Sequence, residues 1–283
     1  MDISLERRRA GTAGIHPLVV ARLGARRFRK TAMLAAGSSL GENLLFLVDY
    51  LVRFLRVAVL LAIWRVVLPH HGTISGMTLG AVLTYTLIAE VFADQLAGQT
   101  QLASDFWEGT VTTRFLQPTG LVAHYVSDMC GRWIVGFVLF SVPLLLVAPL
   151  LGVNPLPASP VAAALFAVSV ALAVSVGVAL DFVFAALTVA LEQPVWLVMR
   201  LRIAIGAILS GSLLPLALLP WGLGNVFAWL PFASMASAPL QIYVGTGAPL
   251  PLLAIQLGWS LVLWPLAFWL GRAYRERMVG YGG

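Results

Sequence analysis

One cysteine, one lysine and few charges of either sign occur among the 283 residues. Lys and Arg together number 18 and Asp and Glu 12, or 11% of the chain, against roughly 25% in soluble proteins. That is too little charge to coat a water-soluble surface of this size, so a soluble enzyme of one or two domains is excluded. The lone Cys130 excludes an internal disulfide framework, and as a buried small hydrophobe it is ordinary. The chain has neither a Gly-X-Y period nor a heptad period, which removes collagen and coiled coil. Disorder is excluded by what is present: 60% of residues are hydrophobic, far above the disordered range. A mean hydropathy of +0.91 marks an integral membrane protein.

A bilayer core needs roughly 20 apolar residues per helix. Six stretches qualify: 44–68, 77–96, 133–151, 161–191, 203–219 and 251–270. The first is interrupted by Asp49, Arg53, Arg56 and Arg65, and the fourth is too long for a straight crossing. Residues 220–250 are apolar but broken by Pro220, Gly222, Gly224, Pro231, Pro239 and Pro249. They read as short interfacial or re-entrant pieces and not as a seventh span.

Cations fix the expected orientation. Fifteen of the 18 lie in residues 1–43, 97–132, 192–202 and 271–283, and none in the alternate loops 69–76, 152–160 and 220–250. The positive-inside rule then puts both termini in the cytoplasm. The expected layout is a single all-α transmembrane domain, with residues 1–43 as a cytoplasmic interface segment, 44–270 as six spans and 271–283 as a tail. The basic start lacks the short apolar run and small-residue cleavage site of a signal peptide. A surface helix over 17–30 is compatible with the sequence, but Leu18, Val20, Leu23 and Phe28 scatter around its wheel. The isoelectric point near 10.1 reflects arginines beside apolar spans, which suit anionic lipid headgroups and not nucleic acid.

Catalytic patterns are missing. A phosphate-binding loop needs a glycine before its lysine, and the only lysine, Lys30, follows Arg29. Ser210-Gly211 has no histidine at membrane depth, because His16, His70, His71 and His124 lie at or outside span ends. Adjacent His70 and His71 point apart on any regular backbone, so a metal site is not expected. The sequence argues against catalysis, and no cofactor is expected on this chain.

Two features remain. Asp49 and Arg53 are four apart on one helix face, as are Glu90 and Asp94 on the next helix. Two stacked carboxylates are unfavourable at low dielectric unless a proton or a cation neutralises one. Arg53 and Arg56 are the natural partners, with at least one contact under about 4 Å expected between the helices. A proton relay or coupling-ion site is the alternative use of the same acids. Asp128 and Asp181, expected near headgroup level, need no special role.

The second feature is the loop Ser104-Asp105-Phe106-Trp107-Glu108-Gly109-Thr110-Val111-Thr112-Thr113-Arg114-Phe115-Leu116-Gln117-Pro118. Asp105 with Glu108 three later has the form of a capping box, and Pro118 supplies a stop. A short helix outside the membrane is expected here, showing Phe106, Trp107, Phe115 and Leu116 to a partner.

Glu108-Gly109-Thr110 followed by Phe115-Leu116-Gln117-Pro118 resembles the coupling segment of ABC-2 type permeases, the membrane subunits of ATP-binding-cassette exporters, with Phe115 where a leucine is usual. Ser210-Gly211-Ser212-Leu213-Leu214-Pro215, then Leu219-Pro220, Leu230-Pro231-Phe232, Pro239 and Gly245, is similar to their fifth span and extracellular hairpin. The tail ending Tyr281-Gly282-Gly283 resembles bacterial members. The resemblance implies two permeases, this chain with itself or a sister, and two ATPase subunits that bind ATP and Mg. It assigns ATPase coupling to Asp105, Trp107, Glu108, Gly109, Phe115, Leu116 and Pro118, and the hairpin to Pro215, Pro220, Pro231, Phe232 and Pro239. It also implies a bacterial plasma-membrane location. A secondary transporter or channel using the intramembrane acids stays open, and a membrane enzyme is a third class. The sequence shows no internal repeat of the kind many secondary transporters carry.

Overall fold

The structure, a computed structural model of the chain, describes residues 17–41, 45–68, 73–74, 76–115 and 120–273. Among these, helices account for nearly everything. They are α1 (Pro17–Gly41), α2 (Leu45–Val67), α3 (Leu79–Val91), α4 (Ala93–Ala97), α5 (Leu102–Trp107), α6 (Val111–Phe115), α7 (Leu121–Val147), α8 (Pro160–Ala190) and α9 (Val195–Leu209). Four more follow: α10 (Leu223–Phe227), α11 (Pro231–Met235), α12 (Ser237–Val244) and α13 (Pro249–Ala273). A two-residue hairpin, β1 (Thr73–Ile74) with β2 (Met77–Thr78), precedes α3.

Local chemistry sets several boundaries. Thr78 Oγ1 accepts from the Ala81 amide at 3.3 Å and starts α3. Ser159 Oγ accepts from the Ala162 amide at 3.0 Å ahead of Pro160, a side-chain cap followed by a proline that loses no helical donor. Within α7 the ladder widens to a π turn over Phe137–Ser141, just before Pro143. The wider turn accommodates the missing proline N–H, and Ser141 Oγ donates to the Val91 carbonyl of α3 at 2.6 Å.

α7, α8 and α13 are each long and apolar enough to cross a membrane. α8 and α13 reproduce the fourth and sixth expected spans within a few residues, while α2 is a helix over the residues of the first but, with its four charged side chains, is not one of those three. The second divides at Phe92 into α3 and α4. Two boundaries are corrected. The third helix begins at Leu121 and not near 133, because Asp128 and Arg132, four apart, pair with each other and carry the helix through its charged turn. The fifth runs Val195–Leu209 where 203–219 was expected. Its charged Arg202 is accommodated by buried partners, and Gly211, at φ +75°, turns the chain out of the helix.

The largest core cluster joins α2, α3, the π turn of α7 and α12 through Val57, Leu61, Val82, Ile88, Phe140 and Leu240. α8 packs along α13 with polar as well as apolar contacts. Fully buried Gln256 donates to the Ser169 and Ser234 carbonyls at 3.1 and 2.7 Å and accepts from Ser169 Oγ at 2.8 Å. Such side-chain bonds between helices compensate for the weak hydrophobic drive inside lipid.

α1 lies along α7. It is longer than the expected 17–30, and its packing face is small: Ala32 and Ala35 are buried. Gly131 of α7 sits directly against the Ala32 carbonyl, where a Cβ would overlap it. Periodicity in large apolar residues misses such a face because the fit depends on close backbone approach.

Candidate functional site

α5 and α6 form a V whose apex is the turn at Gly109, φ +69°. Asp105 holds it. It sits in the body of α5 and does not cap the helix, whose C-terminal cap is Glu108, so the capping box expected from spacing is not formed. The Asp105 carboxylate, 5% exposed, receives Arg114 Nε at 2.8 Å, the Tyr125 hydroxyl at 2.7 Å and Thr110 Oγ1 at 3.0 Å. One buried carboxylate thereby gathers α5, α6 and the first turns of α7. Burial pushes Asp105 up, but the hydrogen bonds from Arg114, Tyr125 and Thr110 outweigh it and hold its pKa below the ordinary 3.8.

The faces of the V differ from expectation. Phe106 is buried with Leu102, Val111 and Tyr125 and is not a docking residue, because it closes the small core under the V. Trp107 is 69% exposed, and Glu108 is exposed beside it. Phe115 ends α6, but its side chain lies outside the described residues, as do Leu116 and Pro118.

The connection from α4 to α5 is fastened separately. Asp181 of α8 accepts from the Thr100 amide at 2.9 Å and from its hydroxyl. Arg202 of α9 stands 3.5 Å from Asp181 and donates to the carbonyls of Ala97, Gly98 and Gly177 at 3.3, 3.3 and 3.1 Å. Both side chains are buried. Gly98, at φ +54°, meets Gly177 backbone to backbone, so a Cβ on Gly98 would lie 2.7 Å from the Gly177 Cα. Asp181 is therefore structural where the sequence reading gave it no role. By the sequence alone Arg202 is one more cation of the loop 192–202. Hydropathy alone carries no sign of this pairing, since the partners are 21 residues apart on different helices.

The stacked acids Glu90 and Asp94 find the cations that their spacing predicts. Arg53 of α2 bonds Asp94 of α4 at 2.7 Å, and Arg56 bonds Glu90 of α3. Arg53 also lies over the Phe140 ring at 5.7 Å. Asp49 is on α2, with its side chain outside the described residues.

Two clefts of about 430 and 450 Å³ meet beside these charges. They share Asp94, Ala97, Gln99, Arg202 and Ile203 as walls, and one continues past Ser210 and Ser212 to Phe232. Beyond α9 the chain forms the short turns 210–236. The Ser237 amide returns to the Ser210 carbonyl at 2.9 Å, and fully buried Tyr85 donates to the Gly211 carbonyl at 2.7 Å. Pro215 and Pro239 are buried in this return, Pro231 opens α11 beside half-buried Phe232, and Pro220 is exposed. Among the described residues no three His, Cys, Asp or Glu side chains group to hold a metal ion.

Long apolar helices, tied together by ion pairs and linked in part by the short helices α5 and α6, mark a multi-pass all-α membrane protein. Residues 54–273 match the family model described as ABC-2 family transporter protein, and the chain belongs to that family. Its members are membrane components of ABC transporters and carry no ATPase site of their own. A search among curated proteins finds no match.

Proposed function

We propose that the chain is the permease subunit of an ATP-driven exporter. It spans a bacterial plasma membrane six times, with both termini in the cytoplasm, and works as a dimer with itself or a sister permease. ATP and Mg belong to separate ATPase subunits, and these dock on the V of α5 and α6 through Trp107, Glu108, Gly109 and Phe115. The observation that carries this reading is the double fastening of residues 97–114. Asp105 makes the V a single body with α7, while Asp181 and Arg202 join its base to α8 and α9. A push on such a V moves three long helices together and does not simply bend a loop. The clefts beside Arg202 then form the surface that such movement would open toward the hairpin.

Pairing of Glu90 and Asp94 with Arg56 and Arg53 supports reading these charges as a structural network that ties α2 to α3 and α4, over the secondary-transporter alternative. Replacing Glu108 and Phe115 with Ala, in cells carrying the ATPase, tests the reading. Transport should stop while the protein still inserts. Normal ATPase binding and export by that variant would sink it.

A further inference from the structure

We propose that the groove between α7 and α13 binds one acyl chain of an anionic phospholipid, with the phosphate against Arg272. The groove has a volume of about 780 Å³ and is walled almost wholly by carbon. One wall is a ladder on α13: Trp264, Phe268 and Arg272 recur every four residues and so lie on one helix face. Trp264 is fixed by its Nε1 bond to Ser175 Oγ at 2.9 Å and by ring contact with Phe268 at 5.5 Å. The opposite wall comes from Leu121, Ala123 and Val126 of α7, and the floor includes Phe106.

Charge identifies the occupant. Arg272 is the only charged residue among those lining the groove, it is exposed, and it makes no ion pair among the described residues. Phe28 of α1 also lines the groove, and in the sequence it stands among the exposed Arg26, Arg27, Arg29 and Lys30. No acidic residue occurs anywhere on α1. An apolar trough ending at an arginine beside a basic helix matches a hydrocarbon chain capped by an anion. A protein helix would leave the basic rim unmatched unless it were acidic. The inference requires only that the chain lies in a membrane, so it stands or falls separately from the ATPase-coupled reading.

Native mass spectrometry of the full chain in mild detergent, with equal phosphatidylglycerol and phosphatidylcholine of identical acyl chains, tests it. The wild type should retain one phosphatidylglycerol in preference. Arg272→Gln should lose about fivefold of that preference, the effect of one cation near an anionic headgroup. Ala123→Trp, at an exposed position on the groove wall, should lose both lipids. A phosphatidylglycerol with a photoreactive acyl chain, used on the wild type, should label peptides of α7 and α13. The proposal is overturned by no retained lipid. Equal retention of the two lipids, unchanged retention by Ala123→Trp, or labelling scattered over the whole surface would also overturn it.

Discussion

Tyr125 donates its hydroxyl to Asp105 at 2.7 Å, across 20 residues and from one helix to another. With Arg114 on the same carboxylate, this bond ties α5, α6 and α7 to a single side chain. Asp105→Ala should free the V, costing about 2 kcal/mol for the charged hydrogen bonds lost. Faster proteolysis after Arg114 in the variant, with insertion intact, checks this. An unchanged cleavage rate would show that the V is held by other contacts.

The same carboxylate sets a pH expectation. A folded-state pKa below the ordinary value contributes stability that is present above that value and fades as pH falls through the lower one. The Asp105 contribution should therefore be complete from pH 5 to 8 and fade only below about pH 4. Thermal unfolding of wild type and Asp105→Asn across that range measures it. The gap between them should be constant from pH 5 to 8, and a gap closing near pH 6 would contradict the assignment.

Arg202 and Asp181 should show strong coupling. Arg202→Met strands a buried carboxylate beside Thr100 and should cost about 3–5 kcal/mol. Adding Asp181→Asn should recover part of that loss, because the stranded charge is gone. Thermal melts of the two singles and the double decide it, and additive losses would mean the pair is not an interacting unit.

The contact between α1 and α7 depends on the absence of a side chain at Gly131. Gly131→Leu should force the helices apart at a cost of about 1–3 kcal/mol and loosen α1, so that trypsin cuts the already exposed Arg26–Lys30 run faster. Gly37→Ala, where a Cβ meets nothing within 4 Å, should leave cleavage unchanged. Equal cleavage of the two variants would contradict the packing.

Much of this arrangement is legible in the sequence because it follows from spacing. Glu90 and Asp94, one turn apart in an apolar run, demand cations, and Arg53 and Arg56 on the neighbouring helix are the ones available. α8 and α13 announce themselves by uninterrupted apolar length. What stays hidden depends on partners distant in the chain. Asp105 looks like a cap until Tyr125 is placed beside it. Arg202 looks like the end of a loop until Gly98 and Gly177 bring their carbonyls together. Gly131 carries no pattern at all, since its function is to let Ala32 approach.

Glu90→Gln bears on the alternative mechanism. Arg56 is half exposed, so the pair is worth only about 1 kcal/mol. The variant should lose a little thermal stability and leave the pH dependence of transport unmoved. A shifted pH profile with unchanged stability would favour proton coupling.

The central claim, that an ATPase drives this chain through the V, is tested most directly by purifying the tagged chain from its native membrane in mild detergent. Wild type should carry an ABC ATPase in a stoichiometric complex that hydrolyses ATP. A variant with Trp107 and Glu108 both replaced by Ala should insert normally but lose the ATPase. A wild-type chain that purifies without any ATPase, or a variant that retains it in full, would contradict the account.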